Sequence, residues 1–206
     1  KSGEAGAASI WFEKMQQEFG TNVVATGIMV DASARVSLHE EAMLWLQRQE
    51  ALNLQPSIIA YNSAVNACAR AEQPAAAASC LKRMEKAGIT ADIVSWNSVI
   101  NSCARAGHLD EAVAWVGRMR QHQITPNVET YNCVLNGYAS GGHVDEAVAW
   151  LRVAEAAFAR PNVFSYSILV KACSNAGRLK DAATWMASMR AVFITPDIVA
   201  YTSIIS

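Results

Sequence analysis

Tyr61-Asn62-Ser63 returns as Trp96-Asn97-Ser98, Tyr131-Asn132-Cys133, Tyr166-Ser167-Ile168 and Tyr201-Thr202-Ser203. The middle residues stand at 62, 97, 132, 167 and 202, a constant step of 35. A fixed period within ~20–50 residues is the signature of stacked structural repeats. Such chains have no single pocket by default. They present one slot of each repeat, in register, along a surface.

Working outward from these triplets, one unit runs from Ile93 to Asn127. Val94, Trp96, Val99, Ile100, Cys103 and Ala104 recur at helical spacing, which predicts an amphipathic helix over 94–105. Ala106-Gly107 breaks it, since glycine suits the left-handed residue that ends helices. His108-Leu109-Asp110-Glu111 opens a second helix, with carboxylates at its positive end. Ala112, Val113, Trp115, Val116 and Met119 form its apolar stripe. Ile124-Thr125-Pro126-Asn127 closes the unit, because proline cannot continue the helix and asparagine caps the next one.

The same punctuation recurs. Pro56, Pro126, Pro161 and Pro196 share a slot with Ala91, and Gly107, Gly142 and Gly177 share the turn. The expectation is all-α: helix–turn–helix units at 23–57, 58–92, 93–127, 128–162 and 163–197. Residues 1–22, with Trp11-Phe12-Glu13-Lys14-Met15, read as the tail of an earlier unit, and 198–206 as the first helix of a further one. Neither end reads as a polar cap, so the chain is expected to be an excerpt of a longer array.

Several conspicuous residues fit the packing of such units. Trp45, Trp115, Trp150 and Trp185 occupy one second-helix slot among Ala, Val, Leu and Met, and are expected in the core. Asp110-Glu111 and Asp145-Glu146 are adjacent helical residues that do not face one another, and sit where helix N-termini favour acids. His108 and His143 fill the turn before them, with no recurrent nucleophile nearby. Cys68, Cys103 and Cys173 share an apolar slot; Cys80 and Cys133 lie elsewhere, and no C-x-x-C occurs. Zinc needs ligands that converge locally, so these read as reduced core thiols. No cofactor, metal or enzymatic centre is expected, nor any membrane span.

Subtracting the core from each first helix leaves a polar line. It reads Asn62, Asn66, Arg70; then Asn97, Asn101, Arg105; then Asn132, Asn136, Ser140; then Ser167, Lys171, Asn175. Members four apart share one helix face. Asparagine is a mediocre helix former, so its recurrence at positions expected to face solvent asks for more than stability. Carboxamides and hydroxyls both donate and accept, and can read base edges, while Arg35, Arg70 and Arg105 can pair with phosphates. A net charge of −1 argues the other way, because nucleic-acid binders are more often basic.

The array resembles the pentatricopeptide repeat family of plain 35-residue type, over about 23–206. The resemblance rests on Ile-Val-Ser-Trp-Asn-Ser-Val-Ile, Ala-Arg-Ala-Gly-His-Leu-Asp-Glu-Ala and Ile-Thr-Pro-Asn at the right spacing. Tetratricopeptide repeats run at ~34 with another Trp, Leu-Gly and Tyr pattern. The resemblance implies a right-handed α-solenoid that binds single-stranded RNA along its concave face, one base per repeat, mostly in mitochondria or plastids. It implies base-selecting pairs Asn62 with Asp92, Asn97 with Asn127, Asn132 with Asn162, and Ser167 with Asp197, with Thr202 starting another. By the family's pattern these resemble a uracil reader, two pyrimidine readers and a guanine reader, or 5′-U-Y-Y-G-3′ from N to C terminus. Val24, Ile59, Val94, Phe164 and Val199 fill the slot that sandwiches a base, and Arg35, Arg70, Arg105 and Lys171 the phosphate side.

Four departures stand out. Gly27, paired with Ser57, has no side chain to read with. Glu129 holds a carboxylate in a sandwich slot, Ser140 and Asn175 replace the phosphate-side arginine, and Thr202 has no terminal partner in the sequence. An array this short is expected to bind weakly by itself. The rival expectation is a scaffold that packs against proteins of a large organellar assembly, as solenoid surfaces also hold peptides.

Overall fold

A computed structural model describes residues 23–36 and 38–205. The expected tail of an earlier unit at 1–22 lies outside the described residues. Every regular element among those described is a helix: α1 (Val23–Arg35), α2 (His39–Ala51), α3 (Ile58–Arg70), α4 (Pro74–Lys86), α5 (Ile93–Arg105), α6 (Leu109–Gln121), α7 (Val128–Ser140), α8 (Val144–Ala156), α9 (Val163–Asn175), α10 (Leu179–Ala191) and α11 (Ile198–Ile205). The odd-numbered helices start at 23, 58, 93, 128, 163 and 198, so the backbone keeps the period of the sequence. The chain forms an α-solenoid of helix–turn–helix repeats.

Two compact units divide the chain, one up to Ala106 and one from Gly107. In the first, α1 pairs with α2 and α3 with α4, while α3 packs on both α1 and α5. In the second, α7 pairs with α8 and α9 with α10, and α9 packs on both α7 and α11. Second helices also lean on the first helix that follows: α2 on α3, α4 on α5, α6 on α7, α8 on α9. Within each unit the odd helices thus form a continuous layer. Each hairpin buries the apolar stripe of its neighbour, which none could do alone.

The turns follow from backbone chemistry. Gly107, Gly142 and Gly177 hold φ of 80, 79 and 71°, and Glu72 takes the equivalent place at 56°. Only glycine adopts this left-handed region without a Cβ penalty. The next first helix is then capped by side chain. Ser57, Asp92, Asn127 and Asn162 each accept the backbone N–H three residues on. Asp197 does the same for Ala200 at 2.8 Å.

Two of the four tryptophans differ from expectation. Trp45 and Trp115 are buried, whereas Trp150 and Trp185 are only half-buried. The difference lies three residues on. The Arg48 and Arg118 guanidiniums lie over the rings of Trp45 and Trp115, at 5.3 and 4.6 Å from their centroids. The matching residues after Trp150 and Trp185 are Val153 and Ser188, which carry no such lid. Trp150 still anchors inward, donating from Nε1 to the Tyr131 carbonyl at 3.1 Å.

Candidate nucleic-acid interface

The polar line lies on the odd-numbered helices, and three of its first members, Asn62, Asn132 and Ser167, pair with residues 30 positions on. Asn62 Nδ2 donates to both carboxylate oxygens of Asp92, each at 3.2 Å. Asn132 Nδ2 donates to Asn162 Oδ1 at 3.4 Å, and Ser167 Oγ to Asp197 Oδ1 at 3.1 Å. The helix cap brings the partners together. Asp92, Asn162 and Asp197 begin the next first helix, and that helix packs beside the one carrying Asn62, Asn132 or Ser167. The pair Asn97 and Asn127 is divided between the two units.

These side chains are less open than the sequence led us to expect. Asn62 is half-buried, but Asn132 and Ser167 are only 6 % and 5 % exposed. They therefore do not sit at solvent-facing positions. The neighbouring repeat closes over them, and this is why they find protein partners. Burial works to raise the Asp92 carboxyl pKa. Hydrogen bonds from the Ser95 N–H, the Ser95 hydroxyl and the Asn62 amide outweigh it and hold the group below the usual carboxylate range.

The sandwich slot shows the opposite behaviour. Ile59 is 70 % and Phe164 58 % exposed, and Val24 and Val94 are also exposed. Single exposed apolar residues are ordinary. Their recurrence at the second residue of successive first helices is not required by the core. Glu129 is likewise exposed, so its carboxylate presents charge in that row. The side chain of Val199 lies outside the described residues.

One cavity gathers the parts. It holds about 210 Å³ and is lined in part by Phe164, Ser167, Lys171, Asp197, Asn136 and Asn175. An apolar ring, a hydrogen-bonding pair and a cation thus face one small space. It falls below the ~300–1,000 Å³ of sites for drug-sized ligands.

The cations are mostly engaged. Arg35 pairs with Asp31 at 2.7 Å and Arg105 with Glu72 at 3.2 Å. Arg70 donates from Nη2 to the Ala34 carbonyl. Lys171 is exposed and has no ion pair among the described residues. The exposed pairs are weak and exchangeable in water. Of the remaining site residues, Gly27 offers no side chain and Ser57 caps Ala60 at 3.2 Å. Thr202 is exposed and bonds the Ile198 carbonyl at 2.8 Å.

Sequence reasoning missed the third residue of each first helix. Ser95 Oγ donates to Asn62 Oδ1, and Ser165 Oγ to Asn132 Oδ1 at 2.7 Å. The signal was available: a hydroxyl three residues after the cap, at Ser95, Thr130 and Ser165.

The five cysteines are free thiols, Cys133 half-buried and the rest buried. Burial pushes Cys68 up to about 11 and Cys80 to about 12; burial and then the Glu129 charge push Cys133 to about 12. Among the described residues no group of three or more His, Cys, Asp or Glu is placed to hold a metal ion. No described helix is long and apolar enough to cross a membrane.

Helical hairpins repeating every 35 residues, with such a capped pair at Asn62 and Asp92, Asn132 and Asn162, and Ser167 and Asp197, define a class of repeat protein. The model described as the pentatricopeptide repeat domain matches residues 45–105 and 154–206, and that of the PPR repeat family matches 91–140 and 126–175. The chain belongs to the pentatricopeptide repeat family. Its structure is similar to pentatricopeptide repeat protein PPR10 from maize, at 25 % identity and TM-score 0.76, over 94 % of this chain and 28 % of that one. It is similar to PPR10 in complex with an 18-nt psaJ RNA element, at 24 % identity and TM-score 0.80, over 98 % and 30 %. A third likeness is the PPR domain of Arabidopsis thaliana protein-only RNase P 1 in complex with tRNA, at 15 % identity and TM-score 0.67, over 85 % and 92 %. These likenesses show a shared fold. The chain spans under a third of PPR10. Among curated proteins, none matches its sequence.

Proposed function

We propose that this chain binds single-stranded RNA across its first helices, one base per repeat, and performs no chemistry itself. The repeats are 23–57, 58–92, 93–127, 128–162 and 163–197. Four of them read the core 5′-U-Y-Y-G-3′ through Asn62 with Asp92, Asn97 with Asn127, Asn132 with Asn162, and Ser167 with Asp197. Val24, Ile59, Val94, Phe164 and Val199 sandwich bases, and Arg35, Arg70, Arg105 and Lys171 meet the phosphates. The proposed setting is RNA processing, stability or translation in a mitochondrion or plastid, where the family mostly acts.

One observation carries the reading: the cavity at Phe164, Ser167, Lys171 and Asp197. Its lining by an apolar ring, a hydrogen-bonding pair and a cation supports a seat for a base and its phosphate. The RNA in the PPR10 complex and the tRNA in the complex of the RNase P repeat domain support the same direction.

A second reading has its own observation. Phe158 and Phe193, 93 % and 96 % exposed, share one slot of the loops that end successive repeats. Exposed aromatics in register suit a scaffold that docks on organellar proteins. Titration of short single-stranded RNAs at two salt concentrations separates the two. RNA binding weakens as salt rises, because phosphate contacts release counterions. A scaffold alone binds at neither salt.

A further inference from the structure

Three base-selecting slots hold asparagine: Asn62, Asn97 and Asn132. The third residue of the first helix that follows each is a hydroxyl: Ser95, Thr130 and Ser165. The other two complete repeats hold Gly27 and Ser167 in that slot, and the matching third residues are Ala60 and Ala200. The hydroxyl therefore travels with the asparagine.

Helix capping does not account for this. Ser165 Oγ does accept the backbone N–H of its own cap, Asn162, at 3.1 Å, and Thr130 does the same for Asn127 at 3.2 Å. That local bond would serve any repeat, yet Ala60 and Ala200 go without it. Ser165 also reaches 33 residues back to Asn132 Oδ1 at 2.7 Å. A hydroxyl has one proton. Asn162 Oδ1 lies farther from Ser165 Oγ, at 3.1 Å, and already takes the Ser165 backbone N–H at 3.0 Å. The proton goes to Asn132.

A carboxamide has nearly the same shape either way round, but one end accepts and the other donates. In the rung of Asn62 and Asp92, the carboxylate fixes the amide by itself, since a carbonyl turned toward it would face an anion. In the rung of Asn132 and Asn162 both partners are neutral, and their own contact is 3.4 Å. Ser165 makes the shorter bond.

We infer that Ser165 is a positioning residue for base choice: its hydroxyl holds Asn132 with Oδ1 turned inward, leaving amide N–H as what that rung offers a base. The inference rests on the RNA reading proposed above. The Ser95 hydroxyl lies between two acceptors, Asn62 Oδ1 and the Asp92 carboxylate at 2.9 Å, so its one proton is shared and Asp92 fixes Asn62 by itself. Ser167 needs no such tether, because a hydroxyl has no second end to present.

The test is a competition assay on the whole chain with short single-stranded RNAs that differ only at the third base of 5′-U-Y-Y-G-3′. Ser165→Ala is expected to cut discrimination at that base by about fivefold or more, without changing the bases on either side. Ser165→Thr restores it and Ser165→Val, of the same shape, does not. If Ser165→Ala weakens all RNAs equally, or Thr and Val behave alike, the hydroxyl only caps its helix and the inference is wrong. If the wild-type chain binds no RNA at low salt, the RNA reading itself falls and takes this inference with it.

Discussion

Asn62 and Asp92 stand at opposite ends of one repeat, 30 residues apart, and are joined amide to carboxylate at 3.2 Å. Asp92 is also the cap of α5, where it accepts the Ser95 N–H at 2.9 Å. One side chain thus starts a helix and completes the proposed reading pair. The two roles separate by substitution.

Asp92→Asn keeps a good cap but makes the rung resemble Asn132 with Asn162. Stability in urea is expected to change by less than about 0.5 kcal/mol, while the first base relaxes from uracil to either pyrimidine. Asp92→Ala removes both roles and costs about 0.5–2 kcal/mol. The acid limb carries a further signature. The folded Asp92 carboxyl lies below its ordinary value, so its stabilisation is present above that value and disappears as pH falls through the lowered one. Asp92→Asn removes that part of the acid sensitivity in pH-dependent melting.

Val153→Arg is expected to place a guanidinium over Trp150, as Arg118 covers Trp115. Cation–π contact at a surface site contributes about 0.5–1 kcal/mol. Tryptophan emission should shift to the blue and the melting temperature should rise. Arg118→Ala should do the reverse at Trp115.

Phe158 and Phe193 sit at φ of 59 and 60°, in the slot where Gly88 stands at 73°. A bulky side chain in the left-handed region costs roughly 1–2 kcal/mol. Both rings are nearly fully exposed, so they gain no packing in return. Phe193→Gly is expected to raise stability by about 0.5–1 kcal/mol, after the entropy that glycine loses on folding. Chemical denaturation measures it, and an unchanged or lower stability would show that the ring packs usefully.

Cys80 and Cys133 have thiols pushed to about 12, and Cys68 to about 11. Iodoacetamide at mildly alkaline pH should label these three only when the chain unfolds, since the thiolate is the reactive form. The raised values also set a stability limit. Unfolded thiols ionise near ~8.5 while the buried ones stay protonated, so stability falls as pH rises above that value. Replacing Cys80 by Ala should flatten that alkaline limb.

Periodicity made the architecture legible. Strict spacing of Asn62, Asn97 and Asn132 placed the first helices, because one residue per 35 locates a whole hairpin. The last residue of each repeat was legible as a cap, since Asp and Asn at a helix start have one common use. The burial of Asn132 and Ser167 was not, because it depends on how closely the next first helix packs. Nor was the lid that Arg48 and Arg118 form, which needs the side chain's direction as well as its spacing. Ser165 was hidden by its second role: a hydroxyl three residues after a cap reads as local capping, and its reach to Asn132 exists only in the stacked fold.

The most direct test of the one-base-per-repeat account is Asn97→Thr with Asn127 kept. That pair resembles the family's adenine reader. In competition among RNAs that differ at one base, the second base of 5′-U-Y-Y-G-3′ should move from pyrimidine toward adenine, by about 1–3 kcal/mol as for base readout in DNA. Its neighbours should not move. Arg105→Ala in the same assay should weaken every RNA about equally, since a phosphate contact carries no base information. An Asn97→Thr chain that still binds RNA with unchanged base preference would contradict the account.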